Sequence, residues 1–355
     1  MAVGYQELLD LNIVVSTHLK QWMVERGADP LRIHTCYINV DADTWRPDPE
    51  RRSAVRQELG VEDEVPVVLY AGRICEQKQP RVFAQTMLRL LQESVSYAAI
   101  VAGDGPDMES LRSFVKKHKL TERVRLLGAV SNARVRELMA ASDVFFLPSK
   151  WEGIALSIYE AMACGLPIVG TDVGGQRELV TAECGVLVMR CEEEVEAERH
   201  ARVLAELLQK PDRRQQMGQA SRERVRTHFR LEQMGEQVLS LLLEGVRLHK
   251  SQPRPVPSLG VGRVCASQAI ESTRISEALD SLRWEHEHKQ NGMGPLYPHL
   301  LDPYSDSWRT LTYFTVRRLL LPYYRAALNR DITWILPLKN RFKRVLLRDS
   351  QIQST

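Results

Sequence analysis

The sequence lacks the features by which membrane-spanning and exported proteins are recognised. None of its apolar runs approaches the roughly eighteen residues that a membrane-spanning helix needs. The chain of 355 residues also opens without the basic and then apolar pattern of a secretory signal peptide. The apolar share of 44% is that of a globular protein, and the two missing patterns lead us to expect a cytosolic one.

Cysteine is scarce and is not arranged for metal binding or for a disulfide framework. The six cysteines, at positions 36, 75, 164, 184, 191 and 265, form neither a C-x-x-C pair nor a cluster with histidine. Structural zinc and a disulfide scaffold are therefore excluded as the basis of the fold. Cys75 and Cys164 have no evident partner base, so we expect them to be small buried residues and not nucleophiles.

One glycine is missing where a dinucleotide-binding fingerprint would require it. The segment AAIVAGDGPDMESL has Gly103 and Gly105 after an apolar run, but the third glycine position is occupied by Met108. That third glycine normally allows the helix to pack closely on its strand, so an NAD-binding fingerprint is not supported. A structural turn remains a simple interpretation of the two glycines that are present.

Charge is distributed unevenly along the chain and divides it. Residues 246–355 hold 17 Lys and Arg against 9 Asp and Glu, a net +8, so residues 1–245 hold 31 against 36, a net −5. The Pro- and Ser-containing stretch KSQPRPVPSLGVG lies near this boundary, after a predicted helix ending at Gly245, and is typical of a linker. We expect three segments, 1–46, 47–245 and 246–355, the last of them mostly helical.

The end of the chain is basic and rich in aromatic residues. Between Trp308 and Arg348 there are ten Lys and Arg, and Asp331 is the only acidic residue. The segment 308–348 is consistent with binding to an anionic membrane surface. It is equally consistent with docking onto another protein domain or subunit. Nucleic-acid binding is a third interpretation, which no upstream motif supports.

Two carboxylates flank a predicted helix start in EGIALSIYEAMACGLPIVGTDVGG. Glu152 and Glu160 are eight positions apart (160 − 152), and the apolar residues of SIYEAMA have helical spacing. The preceding run DVFFLPS and the following IVGTDVGG are typical of buried strands. This order places the loop at the carboxyl end of a parallel sheet, where α/β proteins bind ligands. A helix N-terminus attracts anions and carboxylates accept hydrogen bonds from sugar hydroxyls, so the motif suits a phosphorylated sugar.

Two cations follow another predicted strand. The run PVVLYAG is continuous and apolar, and Arg73 and Lys78 lie in the segment directly after it. Arg binds phosphate bidentately and Lys binds it as a point charge, so together they can neutralise a diphosphate.

These segments resemble the retaining GT-B glycosyltransferases of family 4, the glycosyl transferases group 1. The resemblance includes a Glu-x7-Glu motif, a Gly-Arg pair followed five residues on by Lys, a G-x-G-P turn and the sequence VGGQREL, which contains Gly174, Gly175 and Glu178. It extends from about Leu11 to Met234, about two-thirds of the chain. It implies an α/β fold of GT-B type, in which a Rossmann-like domain with a parallel sheet binds the nucleotide sugar.

The resemblance also implies roles for individual residues. Arg73 and Lys78 are expected to hold the donor diphosphate, Glu152 the sugar hydroxyls and Glu160 the nucleotide ribose. Backbone N–H groups of Ile154 and Ala155 are expected to complete the anion site. The remaining residues expected to shape the donor pocket are Gly72, Gly103, Gly105, Gly128, Ser149, Gly153 and Leu156. The implied substrate is a UDP- or GDP-sugar, with no cofactor and no metal, and the leaving phosphate acts as the base.

The resemblance further implies that only part of an acceptor-binding domain is present. Residues 12–46 are similar to the final strand, helix and strand of that domain and to its linker, so we expect most of the domain to precede Met1. His18 falls in the predicted helix and is expected at the surface. The implied function is sugar transfer to a glycan or lipid-linked acceptor in bacterial surface-polysaccharide assembly, peripheral to the inner membrane face. An alternative is a non-catalytic nucleotide-sugar-binding or interaction module, whereas patterns for an epimerase or a phosphorylase are not found.

Overall fold

A computed structural model describes residues 8–254, and the basic segment 308–348 lies outside these residues. The first part is a strand, helix and strand: β1 (Asn12–Val14), α1 (Thr17–Val24) and β2 (Ile33–Thr35), with the two strands parallel. This confirms the predicted element order. The unit has a small core of its own, formed by Val14, Met23, Ala28 and Ile33.

The following domain alternates helices with six parallel strands in the order β5-β4-β3-β6-β7-β8. Its strands are β3 (Val67–Ala71), β4 (Ala98–Ala102), β5 (Val124–Leu126), β6 (Val144–Leu147), β7 (Ile168–Asp172) and β8 (Gly185–Met189). Its helices are α2 (Pro49–Glu58), α3 (Pro80–Gln92), α4 (Met108–Lys117), α5 (Asn132–Ala141), α6 (Leu156–Ala163), α7 (Gln176–Leu179), α8 (Glu193–Gln209), α9 (Pro211–His228) and α10 (Leu231–Ser251). The doubly wound α/β fold agrees with the predicted class.

The central strands are continuous apolar runs because helices cover both faces of the sheet. Every residue of β3 and β6 is buried, as expected for strands inside a parallel sheet. Helix α3 packs against α8, and α2 packs against α5. Tyr70, Phe83 and Phe146 form aromatic contacts within this core.

The strand order fixes where a ligand can bind. Chain progression runs outward from β3 toward β5 on one side of the sheet and from β6 toward β8 on the other. The loops after β3 and β6 therefore leave in opposite directions, and a crevice opens between them at the carboxyl ends of these adjacent strands.

Helix α10 connects the domain back to the N-terminal strands. The Gln237 amide donates a hydrogen bond of 2.8 Å to the carbonyl of Thr35 at the end of β2. The sequence predicts that this helix ends at Gly245, but it continues to Ser251. None of the helices in residues 8–254 is long and apolar enough to cross a membrane.

Two chain segments cross between the N-terminal unit and the larger domain, and they lie side by side. The N–H of Val40 donates to the carbonyl of Phe229 at 3.1 Å. The side-chain amide of Asn39 donates to the carbonyl of Arg230 at 2.6 Å. The outgoing and returning connections are therefore hydrogen-bonded to each other.

Candidate active site

The loops that follow β3 and β6 meet at the crevice through an ion pair. Lys78 ends a short 3-10 helix, Glu76–Lys78, and its ammonium group contacts the carboxylate of Glu152. Their side chains are only 15% and 7% exposed, so both charges are largely removed from water. The two residues predicted to serve the diphosphate and the sugar thus neutralise each other.

Further hydrogen bonds join the same two loops. The N–H of Lys150 donates to the carbonyl of Gln77 at 2.7 Å, and the Gln77 amide donates to the carbonyl of Trp151 at 3.1 Å. The ammonium of Lys150 also pairs with Glu76 at 2.5 Å. Because main-chain groups take part in these bonds, the backbone that presents Lys78 and Glu152 is held in place.

Arg73 differs from Lys78 in its surroundings. Its side chain is exposed, and within residues 8–254 it takes part in no hydrogen bond or ion pair. It follows Gly72 directly at the end of β3. Among the described residues, the end of this strand therefore presents one cation without a counter-ion and one cation that is already paired.

Several hydrogen-bond donors near the start of α6 have no acceptor among the described residues. Ala155 is the N-cap residue and has no side-chain capping bond. Ile154 and Ala155 are buried, yet within the described part of the chain their N–H groups have no acceptor. The fully buried hydroxyl of Ser149 likewise has no protein partner there. Unpaired N–H groups at a helix start form a suitable environment for an anion.

Glu160 lies on the first turns of the same helix and is half-buried. Burial raises the pKa of its carboxyl to about 7. No hydrogen bond from another residue in 8–254 stabilises its charged form. Near neutral pH, a hydrogen-bond donor that approaches this carboxyl group therefore favours its ionised form.

Glycines allow the surrounding loops to pack closely. A Cβ on Gly103 would lie 1.8 Å from the carbonyl oxygen of Gly72, and one on Gly105 would lie 2.3 Å from that of Ile74. This backbone packing agrees with the interpretation of the G-x-G segment as a structural turn. Gly128 has a left-handed φ of +72°, but a Cβ there would meet nothing within 4 Å.

Glu178 belongs to a different contact, between α7 and the N-terminal unit. Its carboxylate accepts hydrogen bonds of 2.8 Å from the N–H groups of Thr17 and His18 and from the hydroxyl of Tyr37. It therefore caps the start of α1 from across the structure. His18 has an exposed side chain on that helix, as the sequence predicts.

Cys75 and Cys164 are both buried. Burial raises the pKa of the Cys164 thiol to about 12, so little thiolate is present at neutral pH. Neither residue adds a nucleophile to the crevice. The polar groups that the structure brings together at this candidate site are cations, carboxylates and backbone donors.

The order of the strands is that of a Rossmann-like domain of GT-B type. Residues 51–224, which form this domain, match the family model described as "Glycosyl transferases group 1". Sequence relatives and solved structures agree with this assignment.

Among the relatives is a GDP-mannose-dependent monoacylated alpha-(1-6)-phosphatidylinositol monomannoside mannosyltransferase of Corynebacterium glutamicum. It is 27% identical over 252 residues, which are 68% of this chain and 63% of the relative. A D-inositol 3-phosphate glycosyltransferase of Xylanimonas cellulosilytica is 35% identical over 169 residues, 46% of this chain and 40% of the relative. The chain thus spans less than two-thirds of the length of the curated relatives that it matches.

Solved structures share the fold. The Anabaena protein HepE, determined in complex with UDP and glucose, has a TM-score of 0.59 at 23% identity, covering 66% of this chain and 62% of its own. A glycosyltransferase from Rickettsia africae has a TM-score of 0.60 at 19% identity, covering 68% and 67%. At these sequence identities, the structural similarity shows only that the fold is shared.

Proposed function

We propose that the crevice between β3 and β6 binds a nucleotide-sugar donor and that the protein transfers the sugar to an acceptor. The observation that carries this proposal is the set of unpaired donors at one place. Buried N–H groups of Ile154 and Ala155 and the unpartnered Arg73 lie on the two loops that flank the crevice. Such a set suits a diphosphate, which carries charge to be neutralised and oxygens to be hydrogen-bonded.

Each charged residue then has one task. Arg73 and Lys78 hold the diphosphate and stabilise the charge that develops as the glycosidic bond breaks. Glu152 accepts hydrogen bonds from sugar hydroxyls, and Glu160 accepts them from the ribose. The relatives support a nucleotide sugar as donor, since one is described as GDP-mannose-dependent and HepE was determined with UDP-glucose.

The resemblance to the family also supports a proposal for the stereochemical course and the acceptor. We propose transfer with retention of configuration, the leaving phosphate taking the proton of the acceptor hydroxyl. The incoming hydroxyl oxygen forms the new bond to the anomeric carbon as the bond to the diphosphate breaks. A glycan or lipid-linked acceptor, in bacterial surface-polysaccharide assembly at the inner membrane face, is consistent with the phosphatidylinositol mannoside and lipopolysaccharide core enzymes among the relatives.

Calorimetry with the full chain tests the donor proposal. UDP, GDP and their glucose and mannose conjugates are titrated separately, and at least one series is expected to bind. Arg73→Ala and Lys78→Ala should each weaken binding about tenfold, because each removes a charge-assisted contact.

The matched control is Arg81→Ala. Arg81 is an exposed cation of α3 whose guanidinium lies 3.5 Å from Glu193 of α8 and pairs with neither Lys78 nor Glu152. Its loss should leave nucleotide affinity unchanged. If both the Arg73 and the Lys78 variants bind nucleotide as tightly as the unaltered chain, with unchanged thermal melting, the assignment of these cations is contradicted.

A further inference from the structure

A buried carboxylate lies behind the candidate site, on the helix that covers this side of the sheet. Glu196 of α8 is fully buried. One of its oxygens accepts hydrogen bonds from the Gln79 amide at 3.0 Å and from the Thr171 hydroxyl at 2.8 Å. Its other oxygen accepts from the N–H of Cys191 at 3.4 Å. Three separate chain segments therefore converge on one acidic side chain.

The protons of this network can be assigned. The Thr171 hydroxyl has a single proton and donates it to Glu196, so it accepts from the Nε2 of His200, 3.3 Å away. Burial lowers the pKa of His200, which favours its neutral form. Burial alone would raise the pKa of Glu196, but the adjacent His200 and the hydrogen bond from Thr171 lower it overall, so the carboxylate stays charged.

Gln79 connects this network to the site. It directly follows Lys78 and precedes α3, with φ +48° and ψ +57°, in the left-handed region. A residue with a Cβ is unfavourable in this conformation and persists there only when its surroundings hold it. The buried side chain of Gln79 is held by its hydrogen bond to Glu196.

The conformation of Gln79 determines how Lys78 is presented. Lys78 closes the 3-10 helix, and the Gln79 N–H donates to the carbonyl of Glu76 at 3.1 Å. The chain turns at Gln79, so the ammonium of Lys78 points toward Glu152 while α3 departs along the sheet. If residue 79 left the left-handed region, the peptide that joins it to Lys78 would rotate.

We propose that Glu196 is a positioning residue for donor binding, which acts through the Gln79 side chain to hold the turn that places Lys78 at the crevice. The inference rests on the function proposed above, because it assigns Lys78 to the diphosphate. It adds a residue of α8 that forms no hydrogen bond or ion pair with Lys78 or Glu152 within residues 8–254.

The test compares substitutions at residues 79 and 196 in the full chain, with UDP and GDP as calorimetric probes. Gln79→Ala leaves a residue with a Cβ in the unfavourable left-handed region but removes its hydrogen bond to Glu196, so nucleotide affinity should fall by roughly five- to tenfold. Gln79→Gly also removes the hydrogen bond, but glycine adopts the left-handed region freely, so affinity should stay within about twofold. Glu196→Gln removes the charge at nearly constant shape and should weaken binding by roughly threefold or more.

The decisive measurement is Glu196→Gln in the Gln79→Gly background. If Glu196 acts through Gln79, the double variant should bind UDP or GDP as tightly as Gln79→Gly alone, although its melting temperature still falls. If Glu196→Gln lowers affinity as much in the Gln79→Gly background as in the unaltered chain, the positioning role is overturned and Glu196 is a stabilising residue only. Unchanged affinity of Glu196→Gln in the otherwise unaltered chain would overturn it as well.

The variant Lys78→Ala distinguishes failure of the positioning role of Glu196 from failure of the proposed donor-binding function. If the unaltered chain binds neither nucleotide, or Lys78→Ala binds as well as it does, the donor site itself is wrong and the positioning role falls with it. If Lys78→Ala weakens binding but Glu196→Gln does not, the donor site stands and the positioning role alone is refuted.

Discussion

At the residue scale, the ion pair of Lys78 and Glu152 joins two side chains for which the sequence predicts separate tasks. The pair keeps two poorly solvated charges compensated. Under the function proposed above, a diphosphate that approaches Lys78 competes with Glu152 for the same ammonium group. Sugar hydroxyls then offer Glu152 a replacement partner only when the complete donor is bound.

This competition leads to a prediction for Glu152→Gln. Because the neutral amide no longer neutralises Lys78, free UDP or GDP should bind about threefold or more tightly. The sugar-bearing donor should gain less, since the carboxylate that accepts from its hydroxyls is lost. Calorimetry with nucleotide and donor in parallel measures both, and a weaker affinity for the free nucleotide would contradict the competition.

Glu160 provides a pH-dependent prediction. Its pKa of about 7 means that the carboxyl passes from mostly protonated to mostly ionised as pH rises through neutrality. A ribose hydroxyl donates to the ionised form, so nucleotide affinity should rise by up to about tenfold between pH 6 and 8. The nucleotide phosphate titrates in the same range, and the pH dependence of Glu160→Gln shows the contribution of the phosphate alone. If the affinity of the unaltered chain and that of Glu160→Gln change with pH in the same way, Glu160 is excluded from the ribose site.

At the scale of elements, Gly174 and Gly128 separate two effects of glycine on the loops. Both have a left-handed φ, +58° and +72°, but a Cβ on Gly174 would lie 1.7 Å from the carbonyl oxygen of Glu152. Gly128→Ala should cost about 1–2 kcal/mol from conformation alone. Gly174→Ala adds the steric clash and should cost about 3 kcal/mol or more.

The same pair of variants should differ in function. Gly174→Ala must displace the backbone at Glu152, so donor affinity should fall together with stability. Urea unfolding and calorimetry on both variants provide the comparison. Similar losses of stability in the two alanine variants would show that the β6 loop accommodates the added methyl group without strain.

Most elements around the site could be predicted because their residues carry strong local signals. The apolar runs of β3 and β6 lie within one or two residues of the predicted bounds, and α6 contains the predicted SIYEAMA segment. The predicted end of α10 is wrong, because Gly245 does not stop the helix. A Cβ there would lie 3.5 Å from Leu11, so the helix packs on the N-terminal segment and continues.

The residues behind the site gave no such signal. Glu196 belongs to the acidic stretch CEEEVEAER, which is typical of a solvated helix face, and nothing local distinguishes it from its exposed neighbours. Its partners Gln79 and Thr171 are 117 and 25 residues away in sequence. Burial of a charge by distant segments is a tertiary effect, which single-sequence patterns do not contain.

At the scale of the whole described molecule, Glu178 links the N-terminal unit to the larger domain. Burial would raise its pKa, but hydrogen bonds from His18, Thr17 and Tyr37 lower it overall. A carboxyl with a lowered pKa adds stability above its unfolded value and loses that contribution as pH falls through the folded value. The protein should therefore lose stability through this group below about pH 4.3, the ordinary glutamate pKa.

Glu178→Gln should reduce this acid sensitivity and cost about 1–2 kcal/mol at neutral pH, because two N–H groups at the start of α1 lose a charged acceptor. Unfolding in urea at neutral and acidic pH measures both effects. Glu122→Gln is the control, since Glu122 is exposed on the loop before β5. An unchanged acid dependence in Glu178→Gln would show that the link contributes no measurable stability.

The paired connections near Val40 and Phe229 place both chain crossings between the N-terminal unit and the larger domain at one point, where they are hydrogen-bonded to each other. The hydrogen bonds from the N–H groups of Thr17 and His18 to Glu178 form a second attachment. A force that pulls the two parts away from each other is therefore resisted by both sets of bonds.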